Sequence, residues 1–190
     1  MYHFYALLAR MKYIRRWSLM RNTTEENVAE HALTTAYLAH ALAVISREIC
    51  GTDASPEQCA VNALFHDSAE IFTGDLPTPV KYWSPAIRDA YREVEEHSVS
   101  RLLALLPPKL RPAMEGALTA SDEHTERIVR AADKLSAHLK CLEELRNGNR
   151  EFAQAAAETR KKLDEMKMEE IKYFVENFLP AFSLTLDEMQ

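Results

Sequence analysis

Apolar side chains recur at every third or fourth position over long parts of the chain, which is the pattern of helices with one buried face. The clearest case begins at residue 28, where the spacing predicts a helix of about six turns. Its buried face carries Val28, His31, Thr35, Leu38, Leu42, Ile45 and Ile49. Two capping boxes compete for its start, Thr23-x-x-Glu26 and Asn27-x-x-Glu30, and Gly51 marks its end.

The same periodicity, together with caps and Gly or Pro stops, predicts further helices. They cover residues 3–14, 55–74, 84–106, 110–118, 121–147 and 151–178. Residues 75–79 are predicted to form a structured loop, because two prolines within three residues are incompatible with a helix interior. No convincing strand pattern is present. The expected fold is one all-α domain over residues 1–190, which is long enough for a real core.

Composition argues against several classes of function. The 23 Lys and Arg against 29 Asp and Glu give a net charge of −6, which does not favour binding to a nucleic acid polymer. The 3 cysteines form no C-x-x-C pair, so neither a disulfide framework nor a thiolate zinc site is indicated, and a reducing cytoplasm fits. The basic residues near the N-terminus follow the first apolar run, the wrong order for a signal peptide. The apolar run from Ala32 to Ser46 is judged too short and too polar to span a bilayer. We therefore expect a cytoplasmic protein without a membrane partner.

The most informative stretch contains an adjacent histidine and aspartate, His66 and Asp67, near the end of a predicted helix. Glu70 follows about one turn later, so the three side chains can face one cleft. A surface ion pair is the ordinary explanation for such a His-Asp pair. If a metal binds there, the Glu70 carboxylate can hydrogen-bond a water, orient it or move its proton.

Two residues on other predicted helices favour a metal site. His31 lies within an apolar stripe, and Asp133 lies beside the apolar stripe of a third helix. Imidazole nitrogens combined with carboxylate oxygens suit a divalent transition metal better than calcium, which prefers oxygen ligands alone. Simpler alternatives remain open. His31 could be a core histidine bonded to a carbonyl group, and Asp133 could form a solvated salt bridge with Lys134 or Arg130.

Arg16 and Trp17 form a third candidate pair, in a basic segment that precedes the longest apolar pattern. A guanidinium can bind a phosphate, and an aromatic ring can form the wall of a nucleoside pocket. A surface cation beside a tryptophan that packs on the core would explain the same two residues.

The ligand candidates resemble a known signature. His31, the pair His66–Asp67 and Asp133 match the H…HD…D pattern of the HD-domain metal-dependent phosphohydrolases. Nearly the whole chain is similar, more specifically, to the bacterial 5′-deoxynucleotidases of the YfbR type. The similarity is carried by residues 16–22, 26–31, 73–82, 139–145 and 184–188. Its most specific part is the string Thr73-Gly74-Asp75-Leu76-Pro77-Thr78-Pro79-Val80-Lys81.

The resemblance implies an all-α HD-domain fold and an enzyme that hydrolyses deoxyribonucleoside 5′-monophosphates to the deoxynucleoside and phosphate. It also implies a homodimer and one divalent transition metal ion, such as cobalt or manganese. Carried over by position, the metal ligands are His31, His66, Asp67 and Asp133, and the catalytic residue is Glu70. The substrate-binding residues are Arg16, Trp17, His31, Asp75, Leu76, Pro77, Thr78 and Asp133, with Arg16 and Trp17 on the phosphate and sugar.

Two rival functions use the same ligand set. An HD hydrolase of another kind would act on (p)ppGpp or on a cyclic nucleotide, but the short chain and the 75–82 string argue against it. A non-catalytic helical sensor would bind a nucleotide and signal through its dimer. The intact ligand set together with Glu70 argues against an inactive protein.

Overall fold

The computed structural model describes residues 1–81, 83–119 and 122–189, except for the side chain of Thr78. This part of the chain forms ten α-helices and contains no strand, which confirms the all-α prediction. The helices are α1 (Phe4–Leu8), α2 (Val28–Glu48), α3 (Pro56–Phe65), α4 (Glu70–Thr73), α5 (Thr78–Lys81), α6 (Pro85–Ala104), α7 (Arg111–Leu118), α8 (Glu123–Arg146), α9 (Ala153–Glu165) and α10 (Glu169–Asn177). Short 3₁₀ turns occupy Met11–Tyr13, Pro108–Leu110, Arg150–Phe152, Leu179–Ser183 and Leu186–Met189.

Helix α2 is the centre of the fold and contacts α3, α8 and α10. Of the two predicted capping boxes, the second one forms. The Asn27 side chain accepts hydrogen bonds from the N–H groups of Ala29 and Glu30, and the Glu30 carboxylate accepts from the N–H of Asn27. The buried faces of α2, α3, α8 and α10 form the main apolar core. The core therefore packs the helices that carry His31 and Asp133 against each other.

The length of α2 differs from what the apolar run suggested. The helix has 21 residues, and by length and composition alone it could cross a membrane, whereas the run from Ala32 to Ser46 was judged too short. Half of its most apolar window, 50%, is buried inside the protein, and Leu38 and Leu42 are almost completely covered. The core helix of a folded domain has the same properties, so this length is weak evidence for a membrane span.

The helix predicted to run through the His66–Asp67 pair is interrupted. Helix α3 ends at Phe65, and α4 begins only at Glu70. Between them, the N–H of Ser68 bonds to the carbonyl oxygen of Phe65 at 3.0 Å, an i→i+3 bond in place of the helical one. The interruption places both members of the pair in a turn at a helix end, beside the core helices.

Three other boundaries were wrong. The helix predicted over residues 3–14 is divided into α1 and the 3₁₀ turn at Met11–Tyr13. The predicted loop over residues 75–79 ends early, because helix α5 already begins at residue 78. Pro79 is tolerated there as the second residue of the helix, where a helix N–H has no internal partner. The helix predicted over residues 151–178 is divided into α9 and α10, since Lys167 has a φ of 50°, a left-handed conformation that does not continue an α-helix. The division turns the apolar face of α10 onto α2. Helix α8 is capped by Asp122, and the predicted cap Ser121 lies outside the described residues.

The segment before α2 is fixed to α8 by a buried carboxylate. Glu144 accepts hydrogen bonds from the N–H groups of Thr23 and Thr24 at 2.9 and 3.1 Å, from the Thr23 hydroxyl at 2.7 Å and from Asn149 at 2.8 Å. Lys140 donates to the same carboxylate at 2.5 Å and to the carbonyl oxygen of Thr24. Burial disfavours the charged form, but these hydrogen bonds, led by that of Lys140, hold the pKa of Glu144 well below its usual range. The ionised carboxylate is therefore part of the folded structure.

Replacing Glu144 by alanine should destabilise the protein by about 3–5 kcal/mol, because Lys140 then stays buried without its counter-charge. The folded-state pKa is lowered, so the ionic contribution is complete above the unfolded-state pKa, about 4, and is lost as the pH falls further. Urea unfolding of wild type and Glu144→Ala measures the total loss, and unfolding of wild type and Glu144→Gln near pH 7 and near pH 3 measures the ionic contribution. A difference that does not shrink at low pH contradicts the assignment. Glu143→Gln, at the exposed neighbouring position, is the matched control.

Candidate metal centre and nucleotide cavity

The turn after α3 presents His66 with one ring nitrogen bound and the other without a partner. Its Nδ1 lies 2.7 Å from the carbonyl oxygen of Ala63, and because a carbonyl only accepts, Nδ1 carries the proton. In the neutral ring, Nε2 is then unprotonated and carries a lone pair. It is buried without a hydrogen bond, although Oδ2 of Asp67 lies only 3.1 Å away. A lone pair that faces a carboxylate oxygen needs a cation between them, either a proton or a metal ion.

Helix α2 contributes His31, which is completely buried. Its Nδ1 lies 3.0 Å from the hydroxyl of Ser136 on α8, and its Nε2 lies 3.2 Å from Oδ1 of Asp133 and 3.5 Å from Oδ2 of Asp67. One ligand atom each from His31, His66 and Asp133 falls within a cluster no wider than 4.8 Å. The fold therefore brings together the four side chains that the signature singled out, from α2, α8 and the turn after α3.

Electrostatics in this cluster favour a bound cation. Burial lowers the pKa of His66, but Asp67 and Asp133 more than offset this and raise it to about 9. Burial likewise opposes ionisation of Asp67, yet His66, His31 and Arg16 together hold its pKa well below the usual range. The same holds for Asp133, mainly because of Lys134 and His31. Two anionic carboxylates and two imidazoles, with Ala63 and Ser136 orienting the rings, fit a divalent transition metal.

Glu70 lies at the start of α4, beside this cluster, and behaves differently from the two aspartates. Its side chain is buried, and its Oε2 has no hydrogen-bond partner. Burial, together with the charges of Asp67 and Asp75, raises the pKa of Glu70 to about 9. Without a bound cation, Glu70 is therefore protonated at neutral pH and can donate a proton.

The guanidinium of Arg16 contacts the same oxygen of Asp67 as the two histidines do. Its Nη1 is 3.4 Å from Oδ2 of Asp67, and its Nε is 3.2 Å from Oε2 of Glu26. The side chain is only 12% exposed, and burial lowers its pKa less than the neighbouring carboxylates raise it. Arg16 thus remains positively charged at the edge of the ligand cluster.

Trp17 combines the two roles that the sequence left open. Its ring packs on Phe152 with 5.3 Å between centroids, and its Nε1 donates to Glu26 at 2.9 Å. Trp17 also lines a cavity of about 570 Å³, large enough for a nucleotide, together with Arg16. Its φ of 56° is unusual for a tryptophan, which indicates that the surrounding contacts determine its orientation.

The cavity extends from Arg16 to α9. Asp75 and Pro77 of the predicted pocket segment line it, whereas Leu76 is not among its lining residues. The side chain of Thr78 lies outside the described part of the chain. The wall formed by α9, through Ala155 and Thr159, was missed by the sequence analysis. Small residues at helical spacing are an ordinary packing pattern, and no local signal connects them to a segment more than a hundred residues earlier.

Solved structures with low sequence identity share this fold. The HD-domain phosphohydrolase of Listeria innocua superimposes with a TM-score of 0.81 at 24% identity, covering 95% of this chain and 88% of that one. The HD phosphohydrolase of cyanophage S-2L, solved with dA and one catalytic Zn²⁺ ion, gives a TM-score of 0.66 at 19% identity, covering 93% and 96%. These similarities establish the HD-domain fold.

Similarity in sequence is closer and covers nearly the whole chain. The 5′-deoxynucleotidase of Vibrio cholerae is 47% identical over 189 residues, which are 98% of this chain and 97% of that protein. The 5′-deoxynucleotidase of Photorhabdus laumondii is 46% identical over 191 residues, 100% of this chain and 97% of that one. Residues 3–182 match the model of the YfbR-like 5′-deoxynucleotidases, and the chain therefore belongs to that family.

Proposed function

We propose that the protein hydrolyses deoxyribonucleoside 5′-monophosphates with one divalent transition metal held by His31, His66, Asp67 and Asp133. Membership of the family makes it a phosphoric monoester hydrolase and a 5′-deoxynucleotidase. The observation that carries the site assignment is the half-buried cluster itself, in which the buried Nε2 of His66 faces a carboxylate next to a charged arginine. A metal held by these residues would polarise the phosphoryl group and would lower the pKa of a water molecule, so that a nucleophile would be available at neutral pH.

The residues around the cluster bind the phosphate, contact the sugar and transfer a proton. A guanidinium has five N–H donors, so Arg16 can bind Asp67 and Glu26 and still donate to the substrate phosphate. Trp17 adjoins Arg16, so the sugar lies against its ring and the base extends into the cavity toward α9. Glu70 is buried beside the cluster and its Oε2 has no hydrogen-bond partner, so it is placed to give a proton to the 5′-oxygen as the P–O5′ bond breaks.

We propose a divalent transition metal such as cobalt or manganese. The nitrogen and oxygen donors of the site are compatible with either, and a neighbour of the same fold was solved with Zn²⁺. We further propose a homodimer in the cytoplasm. Leu33 and Tyr37, one turn apart on α2, are 60% and 53% exposed, and exposed large apolar side chains are common at contact surfaces.

Phosphate release from dAMP, AMP, 3′-AMP and cyclic AMP tests the proposed function, with added cobalt or manganese and with a chelator. We expect dAMP to be hydrolysed best and the chelator to stop the reaction. Preferred hydrolysis of the cyclic nucleotide or of (p)ppGpp would favour another HD hydrolase. Tight nucleotide binding without turnover would favour the sensor function.

His66→Ala should lose bound metal and activity together, because it removes a nitrogen ligand whose ring is already oriented by Ala63. Metal analysis, turnover and circular dichroism on one preparation measure the three effects. Activity in a metal-free preparation of this variant would contradict the metal assignment. His97→Ala, on the exposed surface of α6, is a matched control that should keep metal and activity.

Glu70→Gln should retain metal and substrate binding but lose about 100-fold or more in kcat, since the amide cannot transfer the proton. The carboxyl has a raised folded-state pKa, so in the metal-free protein it opposes folding increasingly as the pH rises from about 4 toward about 9. Glu70→Gln should therefore be more stable than wild type near pH 8 and about equal near pH 4 when metal is absent. A variant that turns over at the wild-type rate contradicts the role.

Trp17→Ala should narrow the preference for dAMP over AMP, mainly through lost activity on dAMP. The physical reason is that a rigid wall can leave a 2′-hydroxyl neither room nor a partner. The ratio of kcat/KM values for the two nucleotides, in wild type and variant, is the measurement. An unchanged ratio in a well-folded variant would reduce Trp17 to a packing residue on Phe152.

A further inference from the structure

Glu26 is linked to both side chains that we assign to the phosphate and sugar. Its Oε2 accepts a hydrogen bond from Nε of Arg16 at 3.2 Å and another from Nε1 of Trp17 at 2.9 Å. Its carbonyl oxygen accepts a third bond, from the N–H of Arg16 at 3.0 Å. The Glu26 side chain is only 14% exposed. One carboxylate oxygen thus fixes the guanidinium and the indole relative to each other.

The capping pattern does not explain Glu26. In the predicted box Thr23-x-x-Glu26, the glutamate would start a helix, but Asn27 caps α2 and Thr23 bonds to Glu144. Burying a carboxylate carries a desolvation cost, which must be offset by what it binds. The partners of Glu26 are Arg16 and Trp17, so its position is explained by these two side chains.

The hydrogen bonds of Glu26 to Arg16 and Trp17 restrict the rotation of the two side chains that we assign to the nucleotide. Nε on Glu26 and Nη1 on Asp67 fix the plane of the Arg16 guanidinium at two points, so its remaining donors have a defined direction. The bond to Nε1 fixes the rotation of the Trp17 ring, whose other contact is apolar packing on Phe152. Without Glu26, both groups could still reach the substrate, but neither would be preorganised for it.

We propose that Glu26 is a positioning residue that determines selectivity for deoxyribose, an inference that rests on the proposed function. Glu26 holds Arg16 for the phosphate and holds the Trp17 ring as a rigid wall beside the 2′ carbon of the sugar. It acts through these two residues and does not itself touch the substrate.

The test compares kcat and KM for dAMP and AMP in wild type, Glu26→Ala and Glu26→Gln. Small misplacements of positioned groups cost up to about 100-fold, so we expect kcat/KM for dAMP to fall by about 10-fold to 100-fold in the alanine variant. AMP should lose less, which narrows the dAMP-to-AMP ratio by about 10-fold. The glutamine keeps an acceptor of the same shape without the charge, and its ratio should fall by at least about threefold.

Glu25→Gln is the matched control. Glu25 precedes Glu26 in the chain, but it forms an exposed salt bridge with Arg15, with side chains 67% and 70% exposed. Exposed pairs contribute little, so this variant should keep both the rates and the ratio of wild type.

Two further measurements separate positioning from general stability. In a Trp17→Phe background, which keeps a ring but lacks the N–H, Glu26→Ala should change the ratio far less than in wild type. Trp83, which is 78% exposed, is the other tryptophan of the chain, so a Trp83→Phe background isolates the fluorescence of Trp17. There, Glu26→Ala should shift the Trp17 emission and Glu25→Gln should not.

If wild type is active but either folded Glu26 variant has the same dAMP-to-AMP ratio of kcat/KM as wild type, the inference is overturned and the proposed function stays intact. If the alanine variant does not fold, the glutamine variant decides by the same criterion. A dAMP-to-AMP ratio that narrows as much in the Trp17→Phe background as in wild type, with unshifted Trp17 emission, also overturns it. A wild-type protein without activity on dAMP overturns the proposed function and this inference together.

Discussion

The concentration of carboxylates around His31, which is buried, and His66, which is half-buried, is the constraint on which the site depends. Asp67, Asp133 and Glu70 share a volume in which negative charge is poorly solvated, so they cannot all ionise without a cation. The surroundings of the three carboxyl groups shift their pKa values in opposite directions. Histidines and neighbouring cations keep the two aspartates ionised, whereas Glu70 retains its proton. The proposed reaction uses both kinds of group, since anions would bind the metal and an acid would protonate the leaving group.

The packing of the helices supplies this arrangement. Helices α2 and α8 meet in the main core, and the turn after α3 meets them at one end. The segment before α2 has little regular structure of its own, yet it holds the residues proposed to bind the phosphate and sugar. Its position comes from buried carboxylates, Glu144 on the α8 side and Glu26 on the cavity side. Hydrogen bonds to charged groups thus fix the position of this irregular segment, whereas helix packing fixes the positions of the proposed metal ligands.

The parts of the fold that follow local rules were predictable from the sequence. Apolar spacing identified the long helices, and the H…HD…D pattern identified side chains that the structure brings together. The interruption at Phe65 was missed because apolar spacing continues through it, and turn bonds depend on what packs nearby. The break at Lys167 was missed for a similar reason, since a positive φ at a lysine has no sequence signal.

Long-range partners were less predictable than helices. The box Thr23-x-x-Glu26 fits the capping rule as well as its rival does. Only the tertiary structure shows that Thr23 instead donates a hydrogen bond to Glu144. It also shows that Glu26 accepts hydrogen bonds from Arg16 and Trp17. The α9 wall of the cavity was invisible for the same reason. The roles of such residues depend on contacts with segments distant in the chain, and local sequence patterns do not predict those contacts.

The separation of the proposed ligands along the chain has a consequence for folding. His31 and His66 are 35 residues apart, and Asp133 follows Asp67 by 66 residues. A metal ion held by all four would link segments that lie far apart in the chain, and because it would bind only the folded state it would stabilise that state by mass action. It would bind only after α2 and α8 have docked, so it would arrive late in folding and slow the reverse reaction. Cells short of the metal would then hold this protein in a form that is both inactive and more easily degraded.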